Sequence, residues 1–276
     1  MRKLLTMEIA DLRVGLDVPE AIVPWLQPNL NGFTCSDPQW HLTIDPSGDV
    51  FRSMSMPPSV IETNGKCRLN APGNFTVELD TLRQCGTLRF ASHPQDWTDR
   101  HSPACLLTGL RAFVATEVCR SGGLLLHGGA VNAGGSAALF IGRSGAGKST
   151  TCSAFDLDDI LSDEIIGVTL SNDGAWAHAT PFSLALDGWR RQRKVQLGNG
   201  FLLAKANHTA VCRLPAGTAL HTIMQCVPLP RGAPNLEAQA FGMASELAKR
   251  IRWHQLSATL DKHDVRRLVA KTVAEA

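Results

Sequence analysis

Gly142-Arg143-Ser144-Gly145-Ala146-Gly147-Lys148-Ser149-Thr150 satisfies the pattern G-x-x-x-x-G-K-[ST] at every fixed position. The chemistry such a run can do is to hold a polyphosphate. Its glycines let backbone N–H groups turn inward on the phosphates, and a helix that starts here adds the partial positive charge of its N-terminus. Lys148 would reach the β- and γ-phosphates, and the Ser149 hydroxyl would hold Mg²⁺. The ligands expected from these residues are therefore ATP and Mg²⁺, with ATP assumed over GTP. Fifteen residues past Lys148 come two adjacent carboxylates, Asp163 and Glu164, flanked by Ile160-Leu161 and Ile165-Ile166. An acidic pair beside bound phosphates can ligate a metal or take a proton.

Those residues need particular elements to position them. Ala137-Ala138-Leu139-Phe140-Ile141 is a short apolar run that reads as a buried strand ending at the loop, and Ser149 to Phe155 can begin a short helix. Leu124 to Val131 reads as a second strand, joined to the first by a glycine turn at Asn132 to Ser136, and it carries His127-Gly128. Ile160 to Val168 reads as a strand whose end delivers the acidic pair. Ala104 to Arg120 has helical spacing and stops at Ser121-Gly122-Gly123. Arg190, Arg191 and Arg193 fall in a basic run between glycines, Gly188 and Gly200, which reads as a mobile loop. They are either a clamp on the transferred group or a plain solvated face.

Residues 1–100 read as a β-rich region. Met7 to Val14 and Trp40 to Asp45 alternate apolar and polar, Val50-Phe51-Arg52 offers a hairpin return, and a short helix fits Glu20 to Leu26. Thr222 to Val227 reads as a strand, Asn235 to Trp253 as a helix and Asp261 to Ala276 as a terminal amphipathic helix. The division expected is a β-rich domain at 1–100, for substrate or partner binding, and a nucleotide-binding domain at 101–276.

Composition removes several alternatives. A net charge of +2 gives no electrostatic case for a nucleic-acid partner. No apolar run is long enough to span a bilayer, and the first residues make a poor signal peptide, so a cytoplasmic protein with no membrane partner is expected. The eight cysteines contain no C-x-x-C, which leaves no zinc or redox motif by spacing.

Taken together, Leu126-His127-Gly128, the loop from Gly142 to Ser149 and Ser162-Asp163-Glu164 resemble the HPr kinase/phosphorylase family, whose core is related to phosphoenolpyruvate carboxykinase. The resemblance covers roughly residues 104–180. It implies an α/β fold: a P-loop kinase core with a mixed sheet, preceded by a smaller β-rich domain. It implies Asp163 as general base or metal ligand, Glu164 assisting at the metal, His127 beside the γ-phosphate, and a homo-oligomer. The second acid is Glu164 where the family carries Asp, and the glycine-rich stretch that follows in HPr kinases is not recognisable here. A divergent member is expected, phosphorylating a Ser/Thr hydroxyl of a peptide or protein other than HPr, ribosomally made peptide precursors included. A small-molecule kinase or carboxykinase-like enzyme, and a nucleotide-sensing adaptor without chemistry, are the alternatives.

Overall fold

The computed structural model describes residues 1–48, 58–91, 101–182 and 191–275. The chain is mixed α/β, with two mixed sheets, and divides into two compact units. Among the described residues the first unit takes in 1–118 and 229–237, and the second takes in the rest.

The first unit is built on a seven-stranded sheet. Its strands are β1 (Arg2–Ile9), β2 (Leu12–Pro19), β3 (Trp40–Gly48), β4 (Ser59–Thr63), β5 (Lys66–Ala71), β6 (Phe75–Asp80) and β7 (Cys85–Ala91). The order is β1-β2-β3-β7-β6-β5-β4, with β3 parallel to both its neighbours and every other pair antiparallel. Met7 to Val14, expected as one strand, is instead the closing end of a hairpin. Ala10 and Asp11 both take positive φ (50° and 67°), the geometry of a two-residue hairpin turn, and apolar alternation runs through the turn without marking it. Between β2 and β3 lie a single 3-10 turn at Glu20–Ile22 and helix α1 (Val23–Leu30). Helix α2 (His101–Arg120) buries Leu106, Leu110 and Phe113. Phe113 meets Trp40 of β3 edge-on at 5.3 Å, and Gly109 lets the helix lie close to Leu88 and Phe75. Val50-Phe51-Arg52 falls outside the described residues.

The second unit holds an eight-stranded sheet: β8 (Gly123–Ala133), β9 (Ser136–Ile141), β10 (Ile160–Ser162), β11 (Ile165–Ser171), β12 (Gly174–His178), β13 (Lys194–Lys205), β14 (Ala210–Leu214) and β15 (Arg252–Ala258). β8 and β9 form a hairpin whose turn residues Gly134 and Gly135 have φ of 72° and 96°. β9, β13 and β15 run parallel side by side, so their carboxyl ends lie on one edge. β8 also pairs with β11, β11 with β12, β12 with β13 and β13 with β9, which closes five strands into a ring. Ala137 to Ile141 of β9 are all fully buried, as a strand flanked on both edges and both faces must be. Helices α3 (Lys148–Cys152), α4 (Ala216–Cys226), α5 (Pro234–Arg250) and α6 (Lys262–Ala274) complete the chain, with Asp261 capping α6 through its carboxylate.

Two expectations fail in this unit. Thr222 to Val227 is the end of a helix, not a strand: Ala219, Ile223 and Cys226 are the buried positions, at helical spacing. Lys194 to Gly200 is not loop but the first half of β13. Gly200 lies flat under Trp253 of β15, where a Cβ would come within 2.3 Å of the indole, and glycine at that point reflects close packing rather than mobility.

His254 of β15 is buried, stacks on Phe201 at 5.2 Å and hydrogen-bonds Asn199 Oδ1 at 3.1 Å. Burial, and then Arg213 and Arg252, push its pKa below the usual 6.5. The unfolded chain therefore takes up this proton more readily than the folded one. The stability the neutral ring contributes is full above the unfolded pKa and is lost as pH falls below it toward the folded value. Thermal denaturation should show a lower melting temperature at pH 5.5 than at pH 7.5, and His254→Gln should narrow that difference. An unchanged difference would contradict the assignment.

Candidate phosphate-binding site

The loop starts where β9 ends. Gly145 and Gly147 have φ of 76° and 103°, in the left-handed region that L side chains rarely adopt, and this turns successive amides to one side. Ala146 N–H donates to the Arg143 carbonyl at 3.0 Å, closing the loop, and Gly142 is packed so that a Cβ would sit 3.0 Å from that of Ala146. Helix α3 is barely more than a turn, so the loop amides rather than a helix dipole supply most of the positive potential.

Lys148 is buried and points back along the loop, donating to the carbonyls of Gly142 at 3.0 Å and Arg143 at 3.3 Å. Burial lowers its pKa from 10.5, against a smaller opposing influence of Cys226. Among the described residues no carboxylate pairs with it. A desolvated cation held only by neutral carbonyls is suited to an anion brought from outside. Arg143, Ser144, Ser149 and Thr150 are exposed along the loop.

The acidic pair is fixed by β8. β10 and β11 pair along the same edge of β8, Ser162 against Ala130 and Ile165 against His127. Asp163 and Glu164 are the break between them, opposite Gly128-Gly129. On the other edge of β8, Gly128 pairs with Ile141, the last residue before the loop. The start of the phosphate loop and the acidic pair therefore stand two strand spacings apart, about 10 Å across β8. Gly128 N–H donates to the Glu164 carbonyl at 3.0 Å, and Ser149 Oγ donates to the Asp163 carbonyl at 3.3 Å. His127, the neighbour of Gly128, lines a hollow with Gly142, Arg143 and Ser144. Asp163, Glu164 and His127 are each half-buried.

The second glycine of this pair went unremarked in the sequence, although two glycines within a strand signal a close approach. A Cβ on Gly129 would lie 2.4 Å from Cys152 Sγ of α3 and 3.6 Å from Asp163 Cα. Cys152 is fully buried. Gly129→Ala should therefore cost about 1–3 kcal/mol through overpacking and push α3 away from β8. In urea denaturation the double variant with Cys152→Ala should recover more than the two single changes predict by addition. A Gly129→Ala protein of wild-type stability would contradict this packing.

The arginines divide. Arg190 lies outside the described residues. Arg191 is exposed just before β13. Arg193 donates to the Asp158 carbonyl, in the 3-10 turn Leu157–Asp159 that leads into β10. Arg266 of α6 grips the Asp156 carboxylate with two bonds, at 2.6 and 3.1 Å. The link from α3 to β10 is thus held at two points.

At the carboxyl ends of β9, β13 and β15 a cavity of about 620 Å³ opens beside the loop, lined by Gly147, Thr150, Lys205, Asn207, Thr259 and Leu260 among others. Cavities outside the carboxyl ends of parallel strands are where α/β sheets take ligands. Nothing in the sequence marked Lys205 to Asn207 or Thr259-Leu260, because only the register of the three parallel strands brings them to the loop.

For a divalent metal, the donors available are Ser149 Oγ and the two carboxylates. Among the described residues no cluster of three His, Cys, Asp or Glu side chains would hold a metal unaided. Hard oxygen donors few in number fit Mg²⁺ bound together with phosphate oxygens and water. Among the described residues no helix is long and apolar enough to cross a membrane.

No family model matches the chain, and no curated protein matches it. Among solved structures, the Hpr(Ser) kinase/phosphatase from Coxiella burnetii is similar over 55% of this chain and 94% of its own, with a TM-score of 0.32 and 11% identity. Likeness at that level says nothing of chemistry.

Proposed function

We propose that the protein is a nucleotide-dependent phosphotransferase, with a core of the HPr kinase/phosphoenolpyruvate carboxykinase type, that moves the γ-phosphate of ATP to a Ser/Thr hydroxyl of a peptide or protein. One observation supports this reading: Gly128 N–H donates to the Glu164 backbone carbonyl on one edge of β8, and Gly128 pairs with the residue before the phosphate loop on the other. In this reading the loop is the phosphate anchor, Asp163 the carboxylate base, and β8 the strand that joins them. A nucleotide sensor would need the first and not the second.

In this reading the loop amides and Lys148 bind the β- and γ-phosphates, and the cavity at Thr150, Asn207 and Thr259 takes the nucleoside. Mg²⁺, held by Ser149 and Glu164, would neutralise phosphate charge. The acceptor hydroxyl oxygen forms a bond to the γ-phosphorus as the bond to the β–γ bridging oxygen breaks. Its proton passes to the Asp163 carboxylate, and ADP leaves. His127 orients the γ-phosphate or the acidic pair. The β-rich first unit would bind the substrate or a partner, and copies of the chain would associate as the sequence resemblance implies.

The test is transfer of label from γ-labelled ATP, with Mg²⁺, to peptide and protein products of neighbouring genes. Label on a peptide, absent with Asp163→Asn, is the expected result. Label on a small molecule alone would favour the small-molecule kinase, and nucleotide binding without transfer to any acceptor would overturn the kinase reading.

A further inference from the structure

The two ends of the phosphate loop border different spaces, while Gly145 and Ala146 between them, and Lys205 opposite, border both. Gly147 and Thr150 line the cavity assigned to the nucleoside. Gly142, Arg143 and Ser144 line two other hollows, of about 480 and 450 Å³, which share those three residues and Gln225 and so adjoin. A nucleotide laid along such a loop has its nucleoside at one end and its γ-phosphate at the other. The adjoining hollows are therefore at the γ-phosphate end, where an acceptor must enter. His127 marks the part of them nearest the acidic pair, since its neighbour Gly128 bonds the Glu164 carbonyl.

Helix α4 forms the far wall. His221 and Gln225, one turn apart, are exposed and joined by a hydrogen bond of 3.0 Å. The charged residues lining these hollows are Arg143 and Lys205, and the titratable rings are His127 and His221. Among the described residues no Asp or Glu lines either one. The acidic pair stands just beyond His127, whose strand partner is Ile165, so the hydroxyl is presented at that end. Each hollow has the volume of an ordinary ligand site, enough for a short stretch of side chains.

We infer that the groove between the first half of the phosphate loop and α4 is the acceptor site, and that it takes a serine or threonine flanked by carboxylates in an acidic peptide. This rests on the phosphotransferase reading and adds the acceptor's place and charge. The transfer is the one written above: the hydroxyl oxygen bonds the γ-phosphorus, the bridging bond breaks, the proton goes to Asp163, and ADP departs.

The experiment uses the full chain, Mg²⁺, γ-labelled ATP and three acceptors: a serine peptide flanked by glutamates, the same peptide flanked by lysines, and glycerate. The wild-type protein should label the glutamate peptide about ten-fold or more above the lysine peptide, the size of effect expected of charge complementarity. His221→Glu/Gln225→Glu, at two exposed positions, should bring that ratio to one or below. The ratio within one variant cancels any change in overall activity, and thermal melting checks its folding. Equal labelling of the two peptides, a ratio unmoved by the double substitution, label on glycerate alone, or no label at all while ATP still binds would each overturn the inference. No label on any acceptor, or failure to bind ATP measured in the same samples, would also strike the phosphotransferase reading on which it stands, whereas the other three outcomes leave that reading in place.

Discussion

Asp163→Asn should lower the rate of phosphate transfer by 10²- to 10⁴-fold, the range typical for loss of a general base. The substitution keeps the shape of the side chain and leaves the Asp163 carbonyl free to accept from Ser149 Oγ, a bond that involves only the backbone of residue 163. Nucleotide affinity should then shift by less than about three-fold, because a general base acts on the acceptor's proton only on the way to the transition state. Measuring the rate and the ADP dissociation constant on the same preparation separates two roles. A fall in rate alone assigns Asp163 the base's part. A matching loss of affinity that appears only with Mg²⁺ assigns it to the metal instead.

Lys148→Ala should weaken Mg²⁺-ATP binding by about ten-fold to a hundred-fold, since a charge-assisted hydrogen bond contributes about 1.5–3 kcal/mol. The effect on the fold should run the other way. The ammonium is buried, its pKa is lowered by desolvation, and its partners are two carbonyls. Replacing such a cation by an apolar side chain of similar length removes a desolvation cost. Lys148→Met should therefore melt at or above the wild-type temperature while losing the nucleotide. A large drop in melting temperature would mean that the lysine holds the loop together, and would weaken its assignment as a phosphate ligand.

The parts of the site that are local in sequence were legible there. The loop motif, the buried strand before it, the brief helix after it and the glycine turn between β8 and β9 all declare themselves within a few residues. The acidic pair was legible because apolar runs bracket it. The single strand expected over Ile160 to Val168 is two, β10 and β11, broken at Asp163-Glu164, and only pairing along β8 shows that break. What was not legible depends on register. His127 could be singled out, but that Gly128 touches both the loop's strand and the acidic pair is a fact of pairing on two edges of β8. Lys205 and Thr259 meet the loop only because β13 and β15 run parallel to β9 and end level with it. Glycines misled twice over. Gly188 and Gly200 suggested a loop, yet at Gly200 β13 passes beneath Trp253, and the hairpin turn at Ala10-Asp11 has no glycine at all. In α4 the β-branched Thr222 and Ile223 suggested a strand, yet the burial of Ala219, Ile223 and Cys226 follows a helix.

The most direct test of the central claim is a calorimetric titration of the wild-type protein with ATP in the presence and absence of Mg²⁺. One saturable site per chain, strengthened by Mg²⁺ and weakened about ten-fold to a hundred-fold in Lys148→Ala, is the result predicted by a loop whose amides and buried cation face a polyphosphate. No binding of ATP under either condition would contradict that account, and the roles given to Asp163, Glu164 and His127 would fall with it.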